Sequence, residues 1–345
     1  MLKPYIAKVI QFQNLSAQEA ETAMGIIMSG EATQAQIGAY LVALRMKGET
    51  IDEIVGSARA MRAHASHVPY EAGDEVVVDT AGTGGDGAHT FNISTAAAFV
   101  IAGAGRKVAK HGNRAASSKC GSADVLAVLG VNLDLTPEQV AICIRQVGIG
   151  FMFAPKFHPA LKYALGPRRE IGQRTIFNIL GPLTNPAGAT HQLIGVYDPK
   201  LTQPMAQVLG ELGGKAAFVV HGYGGLDELT TAGPNRVSHL MGGKVDTFDL
   251  DAARFGLRPA GPNDLQGGLP EENAVILRDL LKGQDTSPRR DVVLLNSAAA
   301  LAVESGDFET ALREAAVSLD SGAALDKLEE LAALSQALVL NQTSA

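Results

Sequence analysis

The residues best suited to chemistry lie in two consecutive loops between positions 79 and 124. The first loop follows an apolar run at 76–78 and is dense in glycine, which can adopt positive φ and leave backbone N–H groups uncovered. These glycines are Gly82, Gly84, Gly85 and Gly87. The segment NIST at 92–95 then leads into an alanine-rich helix, whose N-terminal N–H groups face the same loop. Together these features predict a cradle for an anionic group.

The second loop follows a predicted strand at 107–110 and is also rich in groups that can bind an anion. Its first polar residues are Lys110, His111, Asn113 and Arg114, and several serines come after them. No acidic residue lies between Asp86 and Asp124, although the whole chain has a formal net charge of −7. This local positive excess predicts that the ligand is anionic.

Two adjacent carboxylates, Asp227 and Glu228, follow a further predicted strand at 215–221. Ligands of parallel sheets bind at the carboxyl ends of the strands, so this pair is expected at the same edge as the two loops. An acid pair in a loop is more often a solvated surface feature. At a strand end, however, it offers the hard oxygen ligands that Mg²⁺ prefers. We therefore predict that the pair holds a divalent cation.

The glycine loop also permits two other interpretations. Its spacing matches G-x-G-x-x-G, the fingerprint of dinucleotide-binding folds, in which an acid after the second strand binds the ribose. The second strand here ends in Lys110 and His111 instead, and no G-x-x-x-x-G-K-[ST] sequence is present. A glycine triplet can also mark an ordinary turn. Two donor-rich loops at consecutive strand ends favour the anion cradle over both interpretations.

The surrounding pattern predicts an α/β protein with two domains. Residues 1–70 have a helical period, with capping boxes that predict helices at 16–29, 33–46 and 50–65. After residue 70, short apolar runs alternate with alanine-rich helices, which indicates a larger α/β domain over 71–345 with a mainly parallel central sheet flanked by helices. The predicted strands are 75–79, 107–110, 149–153, 192–197 and 215–221.

Composition limits the class of protein further. The 345 residues are 46% hydrophobic and 19% charged, and their acidic balance disfavours general binding to nucleic acid or membranes. Cys120 and Cys143 lack metal-ligand spacing and indicate neither a disulfide framework nor a zinc site. No apolar run approaches the length of a membrane span, and the first residues lack the pattern of a signal peptide. A cytoplasmic enzyme is expected.

Five segments of the sequence resemble the motifs of one protein family: GTGGD at 82–86, NIST at 92–95, KHGNRAASSKCGSADVL at 110–126, RTIFNILGPLTNP at 174–186 and HGYGGLDE at 221–228. Together they resemble the anthranilate phosphoribosyltransferase family of tryptophan biosynthesis. The resemblance covers nearly the whole chain, and only Cys120 stands where serine is more common. It implies a nucleoside phosphorylase-like phosphoribosyltransferase fold, in which part of 158–186 packs on the helical domain as a connector and hinge.

The resemblance also implies an activity. The enzyme would use Mg²⁺ to transfer the phosphoribosyl group of 5-phosphoribosyl 1-diphosphate (PRPP) to the amine of anthranilate. This is the second step from chorismate to tryptophan, and it releases diphosphate. No residue is predicted to act as a covalent nucleophile, and neither His111 nor His158 is assigned a proton transfer, so we expect direct displacement at the anomeric carbon. A homodimer formed through the helical domain is also implied.

The residues that the resemblance assigns to the site fall into three groups. Those expected to bind the metal are Ser94, Asp227 and Glu228, and those expected to contact anthranilate are Gly82, Asn113 and Arg168. Those expected to contact PRPP are Gly82, Gly85, Asp86, Thr90, Asn92, Ile93, Ser94, Thr95, Lys110, His111, Gly112, Asn113, Arg114, Ala115, Ala116, Ser117, Ser118 and Ser122.

Two other functions stay open at this point. A pyrimidine-nucleoside phosphorylase has a similar fold, but the acid pair and the KHGNR loop favour a diphosphate donor over free phosphate. A non-catalytic relative of the same fold would bind nucleic acid through the basic stretch at 106–119. The net charge and the acid pair oppose that second alternative.

Overall fold

The computed structural model describes residues 1–115, 118–261 and 263–340. Its N-terminal part contains the helices α1 (Lys3–Val9), α2 (Ala17–Met28), α3 (Gln34–Lys47) and α4 (Ile51–Ala63). Ser16, Thr33 and Thr50 cap the last three of these helices, each accepting a hydrogen bond from the backbone N–H three residues further on. The predicted helix starts are therefore confirmed. α2 packs along α4, which closes the small helical domain.

The larger domain is built on a seven-stranded sheet with the strand order β3-β2-β1-β4-β5-β6-β7. The strands are β1 (Val77–Gly82), β2 (Lys107–Gly112), β3 (Ile149–Phe153), β4 (His191–Gly195), β5 (Ala216–His221), β6 (Asn235–Met241) and β7 (Lys244–Leu250). The first five are parallel, as predicted. β6 and β7 form an antiparallel hairpin that is not among the strands predicted from the sequence. The sequence contains a hairpin signal here, because Gly242-Gly243 separates two strand-like runs. Both glycines have positive φ in the structure, as such a turn requires.

Helices cover both faces of this sheet. They are α5 (Ile93–Gly103), α6 (Ser122–Val128), α7 (Pro137–Gln146), α8 (Ala154–Phe157), α9 (Lys162–Ile171), α10 (Phe177–Leu180), α11 (Thr202–Glu211), α12 (Pro270–Leu281), α13 (Pro288–Leu301), α14 (Phe308–Asp320) and α15 (Ala323–Leu340). α5 is buried along most of its length because it packs between the sheet and the helices α13 and α15.

Alternate residues of the central strands point into two separate hydrophobic cores. Leu193 and Phe218 face the first core, which surrounds α5 and α13, whereas Ile194 and Val219 face the second. The second core also contains the apolar sides of α2, α3, α4, α10 and α11. α9 contacts α3 as well, so parts of the 158–186 segment lie on the helical domain. The exact division of the chain at residue 70 stays a prediction.

The strand order determines where a ligand can bind. From β1 the chain builds outward through β2 to β3, and it then returns to place β4 on the other side of β1. Such a reversal leaves a crevice at the carboxyl ends of the two adjacent strands, which is where open α/β sheets bind ligands. The first loop leaves β1 at this crevice, and the acid pair follows β5, the neighbour of β4.

Candidate active site

The first loop takes the conformation that its glycines allow. Gly84, Gly85 and Gly87 have φ values of 69°, 77° and 75°, as expected from the sequence. Gly82 differs because it is the last residue of β1, with no positive φ. A Cβ atom at Gly82 would lie 2.4 Å from Asp227 Oδ2. Glycine is therefore needed at position 82 to let the carboxylate approach, and the expectation of positive φ does not apply there.

The acid pair lies against both the first loop and the start of α5. A tight turn after β5 carries it there, closed by the Gly222 N–H, which donates to the Leu226 carbonyl at 2.8 Å. Gly84 N donates to Asp227 Oδ2 at 2.7 Å, and Ser94 N donates to Glu228 Oε1 at 3.1 Å. Two donors of the predicted anion cradle therefore bind carboxylates of the chain itself. The structure brings Ser94 and the acid pair together, whereas metal binding by them stays a prediction.

Lys110 partly compensates the charge of Glu228 from inside the protein, and that of Asp79 on β1 as well. Its side chain is buried, and its Nζ donates to the Thr80 carbonyl at 2.6 Å and lies 3.5 Å from Ser94 Oγ. Burial lowers the pKa of Lys110, although the Asp79 and Glu228 carboxylates act against that shift. The sequence places this lysine among the positive charges near the expected ligand. The structure binds its ammonium group in the interior, and a contact with PRPP stays a prediction.

Burial raises the pKa of both members of the acid pair. At Asp227 the nearby Asp86 carboxylate adds to this effect, and at Glu228 the charge of Asp227 adds to it while Lys110 opposes it. Both residues are half-buried at the sheet edge. Acids held at this depth with one compensating lysine favour the binding of a proton or of a metal cation.

Asp124 organises the second loop. Arg114 Nη1 donates to its Oδ1 at 2.9 Å, and the backbone N–H groups of Ala115 and Gly121 donate to its Oδ2 at 2.9 and 3.0 Å. Arg114 also lies over the ring of Phe153, 5.6 Å from its centroid. The positive charge of Arg114 is thus partly compensated, so the loop is less positive than its sequence indicates.

The other residues predicted on the second loop are positioned by close packing. A Cβ atom at Gly112 would lie 2.2 Å from Ser122 Oγ, which itself donates to the Asn113 carbonyl at 3.3 Å. Ser118 Oγ donates to the Cys120 carbonyl at 3.5 Å. Ala116 and Ser117, which were also expected to contact PRPP, lie outside the described residues.

Asn92 joins the first loop to the second loop and to α12. Its Nδ2 donates to the Cys120 carbonyl at 3.2 Å, and its Oδ1 accepts from Asn273 Nδ2 at 2.9 Å. Asn273 was not predicted, and no local pattern could have linked it to a residue 181 positions earlier. Ile93 and Thr95 have buried side chains, so a contact of theirs with PRPP would use the backbone. Thr90 pairs with Gln266 in an isolated bridge.

Two buried histidines, His111 and His158, lie beside this loop with their rings tilted by 53° to each other and their centroids 5.0 Å apart. Burial lowers the pKa of His111 to about 3, with the neighbouring His158 adding to the effect, and burial lowers that of His158 to about 4. The Nε2 atoms of both rings lack a hydrogen-bond partner among the described residues. Both rings are therefore neutral near pH 7.

These histidines should make the protein less stable in mild acid. On unfolding their pKa returns to near 6.5, so between pH 7 and pH 5 the unfolded chain takes up protons that the folded chain does not. Each histidine should cost about 2 kcal/mol over that interval. Buried acids with raised pKa act in the opposite direction, so the informative quantity is the difference between wild type and His158→Phe in urea unfolding at the two pH values. The variant should lose less stability on acidification, and an equal loss would contradict the assignment.

Arg168 lies on α9 with its guanidinium 5.0 Å from the centroid of the Phe177 ring. Burial lowers the pKa of Arg168. Among the described residues it has no ion-pair partner, which leaves its planar donors available for a carboxylate. The structure shows no hydrogen bond from Arg168 to Gly82 or Asn113, so the three-residue anthranilate site stays a prediction.

Comparison with known proteins identifies the family. Two family models match, the glycosyl transferase helical bundle domain over residues 3–65 and the glycosyl transferase a/b domain over 74–325. Anthranilate phosphoribosyltransferase of Moorella thermoacetica is 56% identical over 335 residues, covering 96% of this chain and 98% of the relative. The chain belongs to the anthranilate phosphoribosyltransferase family. It is thus an enzyme of the glycosyltransferase class, and the resemblance found in the sequence is confirmed.

Solved structures of anthranilate phosphoribosyltransferases share the fold. The enzyme of Thermus thermophilus superposes with a TM-score of 0.91 at 43% identity, covering 96% of this chain and 99% of that one. The enzyme of Saccharomyces cerevisiae in complex with PRPP and Mg superposes with a TM-score of 0.89 at 30% identity, covering 97% and 98%. The predicted fold class, a small helical domain followed by a larger α/β domain, is confirmed. No helix in the described part of the chain is long and apolar enough to cross a membrane.

Proposed function

We propose that this enzyme transfers the phosphoribosyl group of PRPP to the amine of anthranilate with the help of Mg²⁺. The observation that carries the proposal is the position of Asp227 and Glu228. They lie at the crevice beside β1 and β4, and each accepts a hydrogen bond from a backbone group of the predicted anion cradle. An acid pair held against an N–H-rich glycine loop and a helix N-terminus places metal ligands next to backbone donors, which suits a metal diphosphate because it carries both a cation and anionic oxygens.

The residues present fit Mg²⁺. The two carboxylates and the Ser94 hydroxyl are hard oxygen donors, and burial disfavours the uncompensated negative charge of the acid pair. Within the described residues, no group of three or more His, Cys, Asp or Glu side chains is arranged to hold a metal ion. Diphosphate oxygens and water would therefore complete the coordination. When bound, Mg²⁺ would neutralise the charge that develops on the departing diphosphate.

Apart from holding the metal, the chain would contribute to catalysis by positioning the two substrates. The backbone N–H groups of the glycine loop would bind the diphosphate, and Asn113 and Arg168 would orient anthranilate so that its amine faces the anomeric carbon. No residue is proposed as a covalent nucleophile. His111 and His158 are neutral and buried, which supports direct displacement without an imidazolium acid.

The proposal is tested by following the loss of anthranilate fluorescence when PRPP is added, with Mg²⁺ and with excess chelator. Turnover with Mg²⁺ that stops on chelation is expected. A parallel reaction with thymidine and phosphate tests the phosphorylase alternative. Turnover of thymidine alone, or transfer to anthranilate that is insensitive to chelation, would overturn the proposal.

Arg168→Ala should raise the KM for anthranilate by about tenfold to a hundredfold, because a charge-assisted pair is worth about 1.5–3 kcal/mol. The KM for PRPP should change much less. Arg168→Lys should recover only part of the loss, since lysine cannot make the two parallel bonds of a guanidinium. Steady-state kinetics with each substrate varied in turn gives the answer, and an effect confined to PRPP would place Arg168 in the donor site instead.

We also propose that the enzyme is a homodimer formed through the helical domain. Large apolar side chains are exposed on α3 and α9 and just after α1, namely Ile10, Phe12, Val42, Met46 and Leu165. Several large apolar side chains left exposed on one domain are typical of an interface. Light scattering after size-exclusion chromatography would give the molar mass in solution, and a monomer would contradict the proposal. The cytoplasmic location expected from the sequence stays a prediction.

A further inference from the structure

Arg174 crosses from the connector to the first loop. It follows α9, whose C-cap residue Gly172 has a left-handed conformation, and its side chain is exposed at the crevice. Its Nη2 donates to the carbonyl of Gly85, and its guanidinium lies over the ring of Tyr197, 3.9 Å from the centroid. Within the described part of the chain, Arg174 has no acidic partner. The charged guanidinium of Arg174 thus binds a neutral carbonyl in the middle of the glycine loop.

Tyr197 holds the same loop from its other end. Its backbone N–H donates to Thr83 Oγ1 at 3.2 Å, and the Thr83 N–H donates to the Gly195 carbonyl at 2.9 Å. Thr83 is followed by Gly84, whose N–H binds Asp227. Tyr197 thus holds Thr83, and Arg174, which lies over the Tyr197 ring, holds Gly85. Between these two residues lies Gly84, whose N–H donates to the acid pair.

Arg174 is also fixed to the helical side of the molecule. The residues that follow it, Ile176 and Phe177, are buried in the second core together with the N-terminal helices. The ring of Phe177 carries the guanidinium of Arg168, the residue proposed to hold the anthranilate carboxylate. Arg168 and Arg174 are thus linked through the short segment 174–177, because Arg168 lies over Phe177 at one end of it and Arg174 donates to Gly85 from the other end.

We infer that Arg174 is a positioning residue that couples the acceptor side of the site to the diphosphate-binding loop. The inference rests on the proposed function, because it takes Arg168 as the acceptor anchor and the glycine loop as the donor anchor. With Arg174 in place, a ligand that fixes the glycine loop also favours the arrangement of the connector that binds anthranilate. Linkage requires the effect to be the same in both directions.

The test compares Arg174→Gln with Arg174→Lys, and uses Arg169→Gln as a matched control because Arg169 is an exposed arginine of the neighbouring helix. Anthranilate is titrated by fluorescence with and without inorganic diphosphate and Mg²⁺, which occupy the loop without turnover. We expect diphosphate to tighten anthranilate binding in wild type and in Arg169→Gln, and to have no effect in Arg174→Gln. The KM for PRPP should rise about tenfold in Arg174→Gln with a smaller change in kcat. Arg174→Lys should recover part of the coupling, since lysine can still donate to Gly85.

Hydrogen exchange of residues 82–88 provides a readout that does not depend on the reaction. Exchange should be faster in Arg174→Gln than in Arg169→Gln at equal thermal stability. If the two variants have the same coupling and the same exchange, Arg174 has no positioning role and the inference is wrong. If wild type fails to turn over anthranilate while the exchange difference persists, the proposed function fails and the contact between Arg174 and the loop stands.

Discussion

Replacing Asp227 with asparagine and Glu228 with glutamine in one variant should reduce kcat about a hundredfold or more, with the fold intact. The amide oxygens can still accept the hydrogen bonds from Gly84 N and Ser94 N, so the variant removes charge while keeping the shape of the site. Because burial raises the pKa of both acids, removing their charge relieves a cost in the folded state at alkaline pH. The melting temperature at pH 8 should therefore be unchanged or higher.

The measurement is kcat as a function of Mg²⁺ concentration, together with a melting curve. Asp246→Asn combined with Asp249→Asn is a suitable control, since it removes two carboxylates from the exposed strand β7. The control should keep wild-type activity. Wild-type turnover by the Asp227/Glu228 variant at limiting Mg²⁺ would remove the metal assignment.

Gly195→Ala should also reduce kcat about a hundredfold, because a side chain at this position clashes with the turn that carries the acid pair. Gly195 is the last residue of β4 and is paired with Gly82 on β1 and with Val220 on β5. A Cβ atom at this position would lie 1.5 Å from the carbonyl oxygen of Asp227. Because the obstructing atom belongs to the backbone, no change of rotamer relieves the clash, and the turn that carries the acid pair must move. A displacement of about 1 Å in catalytic groups costs about a hundredfold in rate.

The experiment measures kcat and the Mg²⁺ concentration at half-maximal activity for Gly195→Ala. Gly25→Ala on α2 is the control, because a Cβ atom at position 25 would meet no atom within 4 Å. That control should gain up to about 1 kcal/mol of stability from helix propensity and keep its activity. If Gly195→Ala retained the Mg²⁺ dependence of wild type, the acid pair would not need its observed position.

Local patterns in the sequence explain much of this structure. The capping residues Ser16, Thr33 and Thr50 are recognisable because a cap and its partner lie only three positions apart. The acid pair was placed at the correct edge of the sheet because parallel strands bring their carboxyl ends together. Such inferences need only short-range spacing and one topological rule.

Other features depend on contacts between distant parts of the chain. The requirement for glycine at 195 comes from a carbonyl at 227, and the partner of Asn92 is Asn273. The burial of Lys110 could not be predicted for the same reason, since its charge is visible in the sequence whereas the Thr80 carbonyl that binds it is not. These roles follow from the fold, and a single sequence holds no record of them.

The second hydrophobic core limits how the two halves of the enzyme can move. It joins α2, α3 and α4 to α11 and to one face of β4 and β5. Arg62 on α4 adds to this by donating to the carbonyls of Leu183 and Leu212 at 2.8 and 3.0 Å. A wide swing about the connector would expose this apolar surface to water, at a cost that grows with the area uncovered. Relative motion is therefore expected as a small shear, in which packed helices slide along one another while the interface stays closed.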